Sequence, residues 1–134
     1  MDNVINYLLN YATKHNIRYK LTEALPSSFP SCAFPKSRRV MINMKWRNQH
    51  ELPFQIAHEL GHVLNGDNGV RYYESFPTRS KTEYQANLTG IRLLLKYCVD
   101  NDISVDNPIS FAERFGIPEY LETAVAYEMK GISQ

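Results

Sequence analysis

The sequence predicts an α+β fold: one domain of 134 residues, mostly helical, with a small three-stranded sheet. Three observations predict it. Residues 3–15 keep helical spacing. Residues 17–46 alternate apolar and polar side chains in short stretches broken by prolines. From residue 53 onward the apolar positions return to helical spacing, with recognisable starts and stops. At 43% hydrophobic residues, the chain has enough apolar material for a folded core.

Each element follows from local chemistry. In the first helix Ile5, Leu8 and Ala12 share a face, with Leu9 beside them. Ile17, Tyr19 and Leu21 alternate with Arg18 and Lys20, a short strand. Residues 22–37 hold Pro26, Pro30 and Pro35 and read as loop or edge material, because proline cannot donate to a ladder. Val40, Ile42, Met44 and Trp46 then form the inward side of a strand. Ser31–Phe34 is its hairpin partner across the 35–39 turn. Pro53 suits the first turn of a helix, Phe54, Ala57, Leu60, Gly61 and Leu64 carry its spacing, and Asn65-Gly66 ends it. Residues 67–77 read as loop. A long helix follows over about 80–99, with Tyr84, Leu88, Ile91, Leu95 and Cys98 as its inward stripe. Asn107-Pro108 opens a short helix ending near Gly116. Ile117-Pro118 opens another, with Leu121, Val125 and Met129 inward, ending at Gly131.

Composition excludes several classes of function. Fifteen Lys and Arg against fourteen Asp and Glu leave a net charge of +1, wrong for a protein that coats nucleic acid or anionic membrane. Residues 107–134 mimic a helix-turn-helix in outline, but their charge is −2, with Glu113, Glu119, Glu122 and Glu128 against Arg114 and Lys130, which predicts packing rather than DNA contact. No segment reads as a signal peptide or membrane span. Cys32 and Cys98 lie far apart with no metal or disulfide spacing and read as reduced thiols, so the expected compartment is the cytoplasm.

The chemistry lies at residues 58–62, His-Glu-Leu-Gly-His, inside a predicted helix. Positions i and i+4 project from one face, so His58 and His62 can reach one metal ion, and Glu59 can reach a water beside it. A shuffled chain of this composition would contain the pattern on the order of once in two hundred. His15 and His50 lack such partners and read as surface residues. A catalytic site of this kind usually takes a third protein ligand. Asn65 and Asn68 exclude the continuation that would supply a third histidine. The candidates are then Glu74, Glu83 and the C-terminal glutamates. Ser80-Lys81-Thr82-Glu83 also fits a capping box, a competing role for Glu83. Asn87, one turn on, shares the face of Glu83 and could orient a histidine through its second nitrogen.

His58–His62 followed by Val63-Leu64-Asn65-Gly66, and then Glu83-Tyr84-Gln85-Ala86-Asn87 leading an apolar helix, resembles the ImmA/IrrE family of metallopeptidases, marked by HELGH and a downstream E-x-x-A-N. The resemblance covers roughly residues 5–130. It implies a minimal zincin-like peptidase domain spanning 1–134, with metal ligands His58, His62 and Glu83, Glu59 as general base, and zinc, or alternatively manganese, as the ion. It further implies that the substrate is a helix-turn-helix repressor, often of a phage or mobile element, whose cleavage lifts repression; charge and the lack of an apolar span already argue against direct nucleic-acid or membrane binding. Two other functions compete: an antirepressor that sequesters the repressor around a structural metal, and a hydrolase of small peptides. Tyr72 and Tyr73, just before the third ligand, are candidate donors to a developing oxyanion. The strand Val40–Trp46 is the candidate edge for an extended substrate. Lys36, Arg38, Arg39, Lys45 and Arg47 form a local basic cluster that could dock an acidic stretch of the repressor.

Overall fold

A computed structural model of the chain describes residues 2–74, 76–77 and 79–132. In chain order the described elements are α1 (Asp2–Lys14), β1 (Arg18–Thr22), β2 (Cys32–Phe34), β3 (Arg39–Asn43), α2 (Leu52–Leu64), β4 (Arg71–Tyr72), α3 (Lys81–Asp100), α4 (Pro108–Phe115) and α5 (Glu122–Lys130). The α+β reading holds. The helix boundaries follow the capping signals: Asn107 Oδ1 accepts from the Ile109 and Ser110 amides at 2.9 and 3.1 Å at the start of α4. Gly116 ends α4 in the left-handed region at φ 74°, where a Cβ would collide with the His50 carbonyl.

The sheet has four strands in the order β1-β3-β2-β4, one more than the sequence predicts. Arg71 and Tyr72, expected in a loop, pair antiparallel with Ala33 and Cys32. Two residues are too few to show a period, so only the partner strand defines them. The Tyr73 amide extends the pairing by donating to Ser31 O at 2.8 Å. β2 and β3 form the predicted hairpin, with Arg38 in the left-handed region at φ 53°. β1 lies parallel to β3. β3 stops at Asn43 rather than Trp46, because the buried Asn43 side chain turns the backbone. Its Nδ2 donates to the Pro26 and Phe29 carbonyls at 2.9 and 2.8 Å, and its Oδ1 accepts from the Lys45 amide at 2.9 Å. Trp46 still reaches the core from beyond that turn, its Nε1 donating to Glu51 at 2.7 Å.

One expectation about substrate binding is overturned here. β3 is paired on both sides and offers no edge to an incoming peptide. Among the described residues the free edges belong to β1 and β4.

Helix α2 is the hydrophobic spine. Every residue from Leu52 to Val63 is buried, between the sheet face that carries Ala33, Val40 and Ile42 and the flank of α3. The inward stripe of α3 differs from the predicted one over its first turns. Ile91, Leu95 and Cys98 are buried, but Tyr84 is 44% exposed and Leu88 half-buried. The buried face there is Glu83, Ala86, Asn87 and Gly90. A hydrophobic count misses it because this end of α3 faces polar groups of α2, not aliphatic core. The two helices lie close because both carry glycine at the contact. A Cβ on Gly61 would sit 2.8 Å from the Ala86 carbonyl oxygen, and one on Gly90 would sit 3.1 Å from the His58 amide nitrogen. Both obstacles are backbone and cannot rotate aside.

His15 and His50 are exposed, as expected. His15 stacks on Tyr11 and His50 contacts the Glu113 carbonyl. Both cysteines are free and buried. Among the described residues no helix is long and apolar enough to cross a membrane.

Gly61→Ala should therefore destabilise the protein by about 1–3 kcal/mol and weaken metal uptake as α3 is pushed away. Thermal melting and a metal titration read the two effects together. A variant that melts and binds metal like wild type would show that the helix contact has slack.

Candidate metal centre

α2 delivers His58 and His62 on one face, one turn apart, and α3 delivers Glu83 opposite them. His58 Nε2, His62 Nε2 and Glu83 Oε1 form a triangle in which every side is 3.1 Å. Two ligands held tetrahedrally by bonds of about 2.0–2.1 Å stand about 3.3–3.4 Å apart, so this triangle is close to the size a single ion requires. Among the described residues this is the group of three or more His, Cys, Asp and Glu side chains able to hold a metal ion.

The other nitrogen of each ring is spoken for. His58 Nδ1 lies 2.8 Å from Asn87 Oδ1, and His62 Nδ1 lies 2.8 Å from Asp67 Oδ2. Both partners are acceptors, so each Nδ1 carries the proton. Each Nε2 is left with its lone pair directed at the common point. Burial, with His62 close by, holds His58 below the ordinary imidazole range despite the opposing pull of Glu83 and Asn87. The ring is therefore neutral at pH 7, the form that binds metals.

Glu83 has two roles. Its backbone N–H donates to the Ser80 hydroxyl at 3.2 Å, the first half of a capping box. Its carboxylate is turned to the histidines instead. Burial alone would raise this carboxyl, but the two imidazoles against it outweigh burial and bring it down to about 2. Arg71 on β4 approaches the second oxygen at 3.8 Å.

Glu59 is fully buried beside this triangle, and among the described residues neither of its carboxylate oxygens has a hydrogen-bond partner. Burial, and then the charge of Glu83, raises it well above the usual carboxylate range. A buried carboxylate without partners is costly in a fold that has no use for it.

The family model of the IrrE N-terminal-like domain, Peptidase_M78, matches residues 12–121. The chain belongs to this family. No curated protein and no solved structure gave a match. For an IrrE N-terminal-like domain, the matched span includes every residue of the triangle together with Glu59 and Asn87.

The other sequence candidates separate. Glu74 is exposed and lies outside the triangle. Tyr72 is 50% exposed and packs its ring on Phe29, on the opposite side of β4 from the metal centre. Tyr73 is buried, its ring 5.6 Å from that of His58, and among the described residues its hydroxyl has no partner. Three contributors escape the sequence reading. Asp67 lies just past the Asn65-Gly66 stop, where an acid five residues after the second histidine was the available signal. Arg71 sits on the two-residue strand. Tyr120 lies far along the chain, its hydroxyl 3.5 Å from Asn87 Nδ2, with no local pattern to flag it.

Two substitutions separate metal ligation from capping. Glu83→Ala should abolish stoichiometric metal binding, whereas loss of a cap alone would cost about 1 kcal/mol and leave the metal in place. Asp67→Ala should keep the fold and weaken metal affinity by about 10–100-fold. Elemental analysis and competition with a chromogenic chelator measure both, and unchanged affinity in Asp67→Ala would remove its orienting role.

Proposed function

We propose that this domain is a metal-dependent endopeptidase whose substrate is a helix-turn-helix repressor, cut so that repression is lifted. The observation that carries the reading is the 3.1 Å triangle of His58, His62 and Glu83 with the partner-free carboxylate of Glu59 buried beside it. The donor set of two nitrogens and one oxygen suits zinc, and manganese is the second choice. Bound there, such an ion would lower the pKa of a water molecule toward about 7 and polarise the peptide carbonyl.

The protein's own residues do the rest. His58 stays neutral, and both rings are held in one tautomer through Asn87 and Asp67. Glu59 takes the proton of the attacking water and hands it to the nitrogen of the leaving amine. Its raised affinity for a proton suits both halves of that transfer near neutral pH. Tyr73, with a buried hydroxyl in need of an acceptor, is the better placed of the two tyrosines to donate to the carbonyl oxygen as charge develops. The free edge nearest the triangle is that of β4, whose Arg71 reaches Glu83, and an extended peptide would pair there. The repressor as substrate rests on the family likeness.

A second reading, a non-catalytic antirepressor held together by its metal, is favoured by burial of the site. His58, Glu59 and His62 are 1%, 0% and 0% exposed. One variant distinguishes the two. Glu59→Gln should retain metal and fold but lose repressor cleavage by at least 100-fold, read by mass spectrometry of the repressor. Full relief of repression by Glu59→Gln would establish sequestration instead.

The same variant has a stability signature. In the folded state Glu59 holds its proton to higher pH than in the unfolded chain, so as pH rises above about 4.5 the carboxyl ionises first in the unfolded state and stability falls. Glutamine removes that loss. Metal-free Glu59→Gln should melt several degrees above metal-free wild type at pH 8, and the gap should narrow at pH 5, as calorimetry at the two pH values would show. Equal melting temperatures at pH 8 would mean that the carboxylate is solvated in the native state.

A further inference from the structure

Residues 18–47 carry seven Lys and Arg against a single acid, Glu23, a net +6, whereas residues 48–134 carry seven against twelve, a net −5. The near-zero total hides a strongly polarised chain. The basic cluster visible in the sequence does not make one surface. Arg38 is tied to the His15 and Asn16 carbonyls at 2.6 and 3.2 Å, Lys45 pairs with Glu23 at 3.8 Å, and Arg47 lies over the Trp46 ring at 4.6 Å.

The sheet register assembles a different surface. Arg18 is in register with Arg39, Lys20 with Met41, and Arg39 with Phe34. Residues in register point to one side of a sheet. This is the side away from α2, which packs against Ala33, Val40 and Ile42. Arg18, Lys20 and Arg39 are exposed there, and among the described residues none of them has an acidic side chain within ion-pair distance. Between them lies a concavity of about 240 Å³ with Phe34 and Met41 in its lining and Tyr19 contributing.

From this juxtaposition we infer that the outer face of the β1–β3 pair docks an acidic segment of a partner protein, with an apolar side chain of that segment seated between the cations. Charge complementarity selects the partner: among the described residues Arg18, Lys20 and Arg39 have no acidic partner, Arg39 being held in place by Ser37 Oγ at 3.2 Å, and they surround an apolar lining. Cations on an edge strand also deter unwanted strand pairing, which accounts for Arg18 and Lys20 on β1. It does not account for Arg39 on the interior strand or for the concavity. A protein segment fits better than nucleic acid for two reasons. Arg39 already covers the Phe34 ring at 5.5 Å, which leaves Tyr19 as the open aromatic face of the concavity, too little for a run of stacked bases. A long polyanion leaving the patch would also run onto a remainder of the domain that is net negative, whereas a short acidic segment stays within the patch.

The site is separate from the metal centre. β1 is the sheet edge opposite β4, about 14 Å across three strand spacings. Binding is therefore measurable without cleavage, and it stands or falls independently of the peptidase reading. Fluorescence anisotropy would compare a labelled peptide of six Glu-Leu repeats, its Lys-Leu counterpart and a 20-nucleotide oligo-dT on the full chain. The acidic peptide should bind at least tenfold tighter than either control and weaken severalfold between 50 and 300 mM NaCl. Arg18→Glu/Lys20→Glu should weaken it at least tenfold while melting temperature and metal uptake stay at wild-type values. The neutral pair Arg18→Gln/Lys20→Gln should give an intermediate loss. Tighter oligonucleotide binding would reassign the face to nucleic acid. Equal binding of the two peptides, no binding, or an acidic-peptide affinity untouched by both double variants would overturn the proposal.

Discussion

The metal centre depends on how closely α2 can lie against α3. His58 and His62 are set by one helix and Glu83 by another, so no local pattern holds the three donors at 3.1 Å from one another. The contact between Gly61 and the Ala86 backbone, and between Gly90 and the His58 backbone, removes the side chains that would keep the helices apart. That contact brings Glu83 to both imidazoles and Asn87 to the far nitrogen of His58. A glycine inside a helix weakens it by roughly 1 kcal/mol relative to alanine. Here the cost is offset by a buried interface that runs the length of α2.

The electrostatics of the centre run against stability. Among the described residues Glu59, the Tyr73 hydroxyl and Gln55 Nε2 are buried polar groups without partners, and all three lie on α2 or against it. Gln55 uses its oxygen on Ser31, whose hydroxyl also receives the Asn43 amide at 2.9 Å. The polar groups therefore continue from the metal centre into the sheet junction. An apolar core would be cheaper to fold. Their retention in the hydrophobic spine fits a domain that needs a carboxylate and donors held in position before any substrate arrives.

Much of this was legible in the sequence, for physical reasons that differ between features. The i, i+4 histidines and the intervening glutamate announce themselves because helix geometry is local. Capping residues at Ser80 and Asn107 and the stop at Asn65-Gly66 are legible on the same ground. Glu83 was legible only as an alternative to its capping role; its backbone amide meets Ser80 while its carboxylate faces the two histidines. Asp67 had only a weak local signal, its place five residues after His62. Arg71 and Tyr120 were not legible, because each reaches the centre through tertiary pairing: a two-residue strand, and a contact 33 residues away from Asn87. The same limit explains the fourth strand and the polar start of the α3 stripe. Hydrophobic periodicity reports what faces aliphatic core and is silent about a face that meets histidines. The basic residues show the reverse problem. Adjacent in sequence, Arg38 and Arg39 do opposite things, one closing a turn and the other presenting a charge.

Two imidazoles and one carboxylate holding a single ion would leave a defined signature in X-ray absorption spectroscopy of the protein loaded with one equivalent of zinc. The expected result is a nitrogen and oxygen shell at about 2.0–2.1 Å with the scattering signature of two imidazoles and no sulfur at about 2.3 Å. A sulfur shell, which would bring Cys32 or Cys98 to the ion, or the signature of fewer than two imidazoles, would contradict it.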